Sequence, residues 1–137
     1  MSITEATNIT KLPEGHYFVF GSNEAGRHGK GAALCAKKYF GAGYGQGHGE
    51  QGMSYAIATK DASLRSLSID AIAENVRVFL QHATNHPHKI FAVSRVGCGL
   101  AGYKDEDIAP MFKWHPSNVY FLEDSWKQYT YSRCQTK

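Results

Sequence analysis

Four short apolar runs and three amphipathic stretches organise the chain. Tyr17-Phe18-Val19-Phe20 ends at Gly21, and Ser54-Tyr55-Ala56-Ile57-Ala58 leads into Thr59-Lys60-Asp61. Ile90-Phe91-Ala92-Val93 and Asn118-Val119-Tyr120-Phe121-Leu122 are of the same kind. Short runs of β-branched and aromatic residues between turn residues predict strands with both faces buried. Ile69, Ile72, Ala73, Val76, Phe79 and Leu80 keep helical spacing behind Ser68, so a helix over 68–82 is predicted with Ser68 as its N-cap. Helices are also predicted from Gly31 to Phe40 and from Lys104 to Phe112.

Strands alternating with helices predict an α/β layer fold with a mainly parallel sheet. No composition shift or internal repeat divides the chain, so one domain over 1–137 is expected. The polar ends, the first ~12 and last ~10 residues, are expected to be loosely held. In such folds ligands bind at the carboxyl ends of the strands. The segments 22–30, 59–61 and 97–103 should therefore converge there.

Composition narrows the class. With 42% hydrophobic and 20% charged residues in 137, a chain that is disordered throughout is excluded. No run of ~18 apolar residues spans a membrane, and the opening Met1-Ser2-Ile3-Thr4-Glu5 lacks the features of a secretory signal. The cytosol is the expected compartment. Net charge is +3 without a basic stripe, which argues against non-specific nucleic-acid binding and is compatible with a small anionic ligand. Cys35, Cys98 and Cys134 form no CxxC, so neither a disulfide framework nor a zinc knuckle is suggested. His86-Pro87-His88 has no third ligand nearby in sequence. No metal and no cofactor are expected.

Glycine is the informative residue. Ten of the 14 glycines lie between Gly21 and Gly52, interrupted by apolar and aromatic residues, so the stretch is not a linker. Gly29-Lys30 lacks both the upstream glycine and the following Ser or Thr of a P-loop. Gly47-x-Gly49-x-x-Gly52 leads into a strand, which is the wrong context for a dinucleotide fingerprint. Gly97-x-Gly99-x-x-Gly102 follows a strand and opens a helix, which suits an anion held by backbone N–H groups. It comes too late in the chain for a Rossmann fold, because only one strand follows.

Three segments together resemble the macrodomains, the ADP-ribose-binding α/β modules, and most nearly the terminal ADP-ribose protein glycohydrolase-like branch. They are Gly26-Arg27-His28-Gly29-Lys30-Gly31-Ala32-Ala33 followed by Lys37-Lys38-Tyr39-Phe40-Gly41, the Thr59-Lys60 step, and Arg95-Val96-Gly97-Cys98-Gly99-Leu100. The resemblance covers about residues 8–122 and extends to small macro-like proteins of bacteria and their phages. If the chain is phage-encoded, its compartment would be the host cytoplasm. It implies a three-layer fold with a mainly parallel or mixed sheet between helices.

The resemblance also implies roles. Asn23 and the loop Gly29, Lys30, Gly31, Ala32 would face the distal ribose and diphosphate. Gly97, Cys98, Gly99, Leu100, Ala101 and Gly102 would wrap the diphosphate from the other side, with Tyr103 packed on the distal ribose. Arg27 and His28 are either ligand contacts or solvated loop residues. In the glycohydrolase branch the Thr-Lys lysine attacks the anomeric carbon, and an Asp of the Gly-Cys-Gly-Leu loop assists. Lys60 matches the lysine, and Ala101 stands where the Asp would be. A protonated amine is not a nucleophile and needs a base; Asp61, Glu24, His28 and Asp105 are the candidates. Asn8 falls near the position of an acidic residue that reads the adenine amine in many macrodomains.

Three functions follow from these readings. The first is a hydrolase acting through Lys60 on an ADP-ribosyl adduct or an ADP-ribose-derived nucleotide. The second is a non-catalytic module capturing ADP-ribosyl ligands. The third, an RNA or poly(ADP-ribose) adaptor, is disfavoured by the unclustered charge. The expected partner is ADP-ribose or an ADP-ribosylated substrate, with nucleic acid included only if ADP-ribosylated and no membrane involved.

Overall fold

Alternate strand residues divide between two cores. The computed structural model describes residues 9–99 and 101–132. Its strands are β1 (His16–Asn23), β2 (Gly49–Gln51), β3 (Ser54–Lys60), β4 (Ile90–Val93), β5 (Trp114–His115), β6 (Val119–Phe121) and β7 (Tyr131–Ser132). Its α-helices are α1 (Gly31–Tyr39), α2 (Ile69–Thr84) and α3 (Asp105–Ile108), and 3-10 turns cover Ala109–Phe112 and Asp124–Tyr129. Val19, Tyr55, Ile57, Phe91, Val93, Val119 and Phe121 pack with α2 and the 109–112 turn in one core. Phe18, Phe20, Ala56 and Ala92 pack with α1 in the other. Neighbouring strand residues point to opposite faces, so strands buried on both sides need the continuous apolar runs seen in the sequence.

The main sheet has the order β2-β3-β1-β4-β6. β1 runs parallel to β3 and β4, β4 is parallel to β6, and β2 is antiparallel to β3. The fold is α/β, with a five-stranded mixed sheet between helices. The chain leaves β1 for α1 on one face, whereas β3 is followed by α2 on the other. It also reverses its direction of travel across the sheet at β1. Loops on the two sides of such a switch point separate and leave a crevice at the carboxyl ends.

Local chemistry sets the boundaries. The Ser68 side chain accepts the Ala71 N–H at 3.1 Å and caps α2. The helix expected over 104–112 is α-helical only to Ile108, because Pro110 supplies no N–H and the chain tightens into a 3-10 turn. β2, β5 and β7 were not expected; they are too short to leave a periodic signal. Of the polar ends, residues 1–8 and 133–137 lie outside the described residues. Trp126 is fully buried against Phe112 and Phe121, and Ile9 and Leu12 pack on the α1 core. Asn8, Leu100 and Cys134 lie outside the described residues. Among the described residues no helix is long and apolar enough to cross a membrane.

Candidate functional site

A cleft of about 620 Å³ opens at the carboxyl ends of β1, β3, β4 and β6. Its size suits a nucleotide-sized ligand. Of the residues expected from sequence, Asn23, Arg27, Gly29, Lys30, Gly31, Ala32, Lys60, Gly97, Cys98, Gly99 and Ala101 line it. All three segments expected to converge contribute. The side-chain charges on the lining are Arg27, Lys30, Lys60 and Arg95 against the single carboxylate of Glu123. Among the described residues Arg27, Lys30 and Lys60 carry no ion pair, while Arg95 Nε donates to Asp105 Oδ1 at 2.8 Å. The α1 N-terminus at Gly31 also faces the cleft, with no side-chain cap and no acidic residue in its first turn. Its exposed N–H dipoles favour an anion.

Side-chain hydrogen bonds hold the walls. Asn23 Nδ2 donates to the Arg27 carbonyl and Asn23 Oδ1 accepts the Arg27 N–H, both at 2.9 Å. The amide expected to meet a ribose therefore clamps its own loop. Ser94 Oγ donates to the Val19 carbonyl at 2.7 Å and Thr59 Oγ1 to the Ser22 carbonyl at 3.3 Å, tying neighbouring strand ends together. At Gly21 a Cβ would stand 3.4 Å from Gly97 N and 3.5 Å from Thr59 Oγ1, at contact distance, so the β1 end and the Gly97 loop lie side by side. At Gly29 and Gly99 a Cβ would meet nothing within 4 Å, so these backbones border open space in the cleft.

Three expected contacts stand away from the lining. His28 is 1% exposed; its Nε2 lies 3.1 Å from the Gln46 carbonyl and 3.2 Å from Gln51 Oε1, and its ring meets Phe20 edge-on. Both neighbours of Nε2 are acceptors, so Nε2 carries the proton and donates. His28 anchors the loop from beneath. Tyr103 packs on the α2-side core and its hydroxyl donates to the Leu67 carbonyl, bracing the 61–67 loop against the 97–103 loop. Gly102 is likewise outside the lining.

None of the carboxylates named as possible bases lines the cleft. Asp61 Oδ1 accepts the N–H groups of Ser63 and Arg65 at 2.9 Å each, and these bonds hold its carboxyl below the usual range. Asp105 accepts from Arg95 and from Trp126 Nε1 at 2.7 Å. Burial pushes its pKa up, but the bonds from Trp126 and Arg95 outweigh that and hold it below the usual range. Glu24 is exposed and outside the lining. Burial, with the negative charge and hydrogen bond of Asp105, pushes the Cys98 thiol up to about 12. It is a thiol, not a thiolate, at neutral pH.

The site also contains residues that the sequence reading did not single out. Glu123 follows β6 by two residues, and the rule applied to the other strand ends would have found it. Ser94 follows β4 directly in the same way. Leu64 is 44% exposed on the cleft with φ +66°, a conformation no sequence signal predicts for leucine. Compared with protein-family models, curated proteins and solved structures, the chain shows no match to any of them.

Proposed function

We propose that the cleft binds ADP-ribose or an ADP-ribose derivative, and that Lys60 serves hydrolysis of an ADP-ribosyl adduct held there. The observation that carries the binding reading is the joint presence, at the switch point of the sheet, of three unpaired cations and an uncapped helix N-terminus. Arg27, Lys30 and Lys60 surround a space bordered by open backbone at Gly29 and Gly99. A diphosphate takes up N–H donors and positive charge of this kind.

In the hydrolytic reading Lys60 gives up a proton to solvent and its amine attacks the anomeric carbon of the distal ribose. The bond to the adduct's leaving group breaks and that group departs with a proton. Water then displaces the lysine, returning ADP-ribose and free Lys60. The second reading, capture without turnover, is favoured by one observation: among the described residues no carboxylate pairs with Lys60, and the wall beside it is Ala101.

Isothermal titration with ADP-ribose, followed by mass analysis of the recovered ligand, tests the shared part. Micromolar affinity with intact ligand is expected, and no binding at millimolar ligand would overturn the reading. Incubation with an ADP-ribosylated peptide separates the branches. Release of ADP-ribose that is lost in Lys60→Ala supports hydrolysis; binding without release supports capture.

A further inference from the structure

We infer that the outer face of α1, with the turn at Tyr44 beside it, binds single-stranded nucleic acid. The inference stands apart from the ADP-ribose reading. Its surface lies outside the cleft and meets it only at Arg27 and Lys30.

The net charge of +3 has one source. Residues 24–48 hold Arg27, Lys30, Lys37 and Lys38 against the carboxylate of Glu24, while the rest of the chain carries eleven side chains of each sign. In sequence these four cations are spread among apolar and glycine residues; the fold gathers them. α1 buries Ala33, Cys35 and Ala36 and contains no acidic residue. At about 100° per residue, Lys30, Lys37 and Lys38 fall on the opposite side, with Lys30 and Lys37 about 10 Å apart along the axis. All four cations are exposed, and among the described residues none has an ion pair. The helix dipole favours Lys37 and Lys38 in the last turn but opposes Lys30 at the N-cap. Helix stability therefore does not account for the set.

Exposed aromatic rings accompany the charge. Tyr44 is 67% exposed and Tyr39 is 50% exposed. Lys37 Nζ lies 5.4 Å from the centre of the Tyr44 ring. Gly45 N–H donates to the Gly26 carbonyl at 2.9 Å, which joins the Tyr44 turn to the loop bearing Arg27. Cations and rings thus form one surface. A single-stranded nucleic acid offers a phosphate at each nucleotide and base faces that stack on exposed rings. An acidic peptide supplies the charge without the stacking partners. In a duplex the bases stack on one another and do not reach the tyrosines.

The test is fluorescence anisotropy of a labelled oligothymidylate of about 12 nucleotides, within the usual site size, titrated with the full chain over a salt series. Binding is expected at low salt. The logarithm of the affinity should fall by about 2–3 per tenfold rise in salt, as three or four phosphate contacts require. The Lys37→Gln, Lys38→Gln double variant should lower that slope by about 1.4. Tyr44→Ala should weaken binding about fivefold or more at an unchanged slope, the scale of one lost base stack. These side chains are exposed, so thermal melts of both variants should match wild type. No binding at low salt, or a double variant that keeps the wild-type slope, would overturn the inference. So would a Tyr44→Ala variant of unchanged affinity together with displacement of the oligonucleotide by polyglutamate, which would make the surface a general polyanion site. Titration of the double variant with ADP-ribose separates this surface from the cleft: unchanged affinity is expected there. A wild type that binds the oligonucleotide but not ADP-ribose would remove the cleft reading and leave this one standing.

Discussion

Cys98 and the glycines on either side of it show how differently neighbouring cleft residues behave. The Cys98 thiol lies against Asp105, and burial together with that carboxylate raises its pKa to about 12. Alkylation of Cys98 at pH 8, followed by peptide mass analysis, is expected to be far slower than for a free cysteine. It should accelerate in Asp105→Asn, because removing the carboxylate's charge lowers the thiol pKa. Gly97 has φ +79° and a Cβ there would meet the Ile108 side chain at 3.3 Å. Gly97→Ala should cost about 1–2 kcal/mol in a denaturant titration, the scale of a left-handed conformation for a residue with a Cβ. Gly99 has no such constraint. Gly99→Trp should leave stability within about 0.5 kcal/mol of wild type and abolish ADP-ribose binding, since its side chain enters the cleft. A variant that kept full affinity would show that the loop is not the phosphate site.

At the scale of elements, the segment after β6 does more than its polarity indicates. Trp126 packs on Phe112 and Phe121 and donates to Asp105, which in turn holds Arg95 at the cleft wall. Trp126→Ala should cost about 3–5 kcal/mol by cavity formation and also weaken ligand binding through Arg95. Thermal melts with and without ADP-ribose check both effects. The α2–β4 connection depends on Asn118. Its Nδ2 lies 2.9–3.0 Å from the carbonyls of Ala83, His86 and Lys89. Elements with a strong apolar pattern, such as α2 and β4, were legible in the sequence. Those fixed by a few backbone bonds or by one proline were not: β2 pairs through three residues, and α3 gives way to a 3-10 turn at Pro110.

For the whole molecule, stability in acid reflects ion pairs between distant elements. Burial raises the Glu50 pKa, but hydrogen bonds from Lys89 at 2.6 Å and His82 at 2.8 Å outweigh it and leave it lowered. Asp105 is lowered in the same manner. A carboxyl held below its unfolded value contributes stability that is fully present above the ordinary range near pH 4. That contribution is lost as pH falls through the folded value. The melting temperature should therefore fall steeply below about pH 4, and less steeply in the Glu50→Gln, Asp105→Asn double variant. Equal acid slopes in the two proteins would show that these pairs do not contribute.

The chain's periodicities by themselves determined the α/β class, the four buried strands and the helix capped by Ser68. These depend on local spacing, and every residue that sets them is adjacent in sequence. The convergence of 22–30, 59–61 and 97–103 at one sheet edge was also legible, because parallel strands put their following loops on the same side. Tertiary structure alone decided which residues of those loops face the cleft. His28 reads in sequence as a ligand contact or a solvated loop residue, yet it is buried under its loop, because Gln46 and Gln51 are near it only in the folded chain, whereas Asn23 lines the cleft and also clamps its own loop. It also decided that Asp105 is spent on Arg95 and Trp126, and that Glu123 is the carboxylate left at the cleft. Hydrogen-bond partners tens of residues apart leave no periodic trace, so their assignment waits on the packing of one element against another.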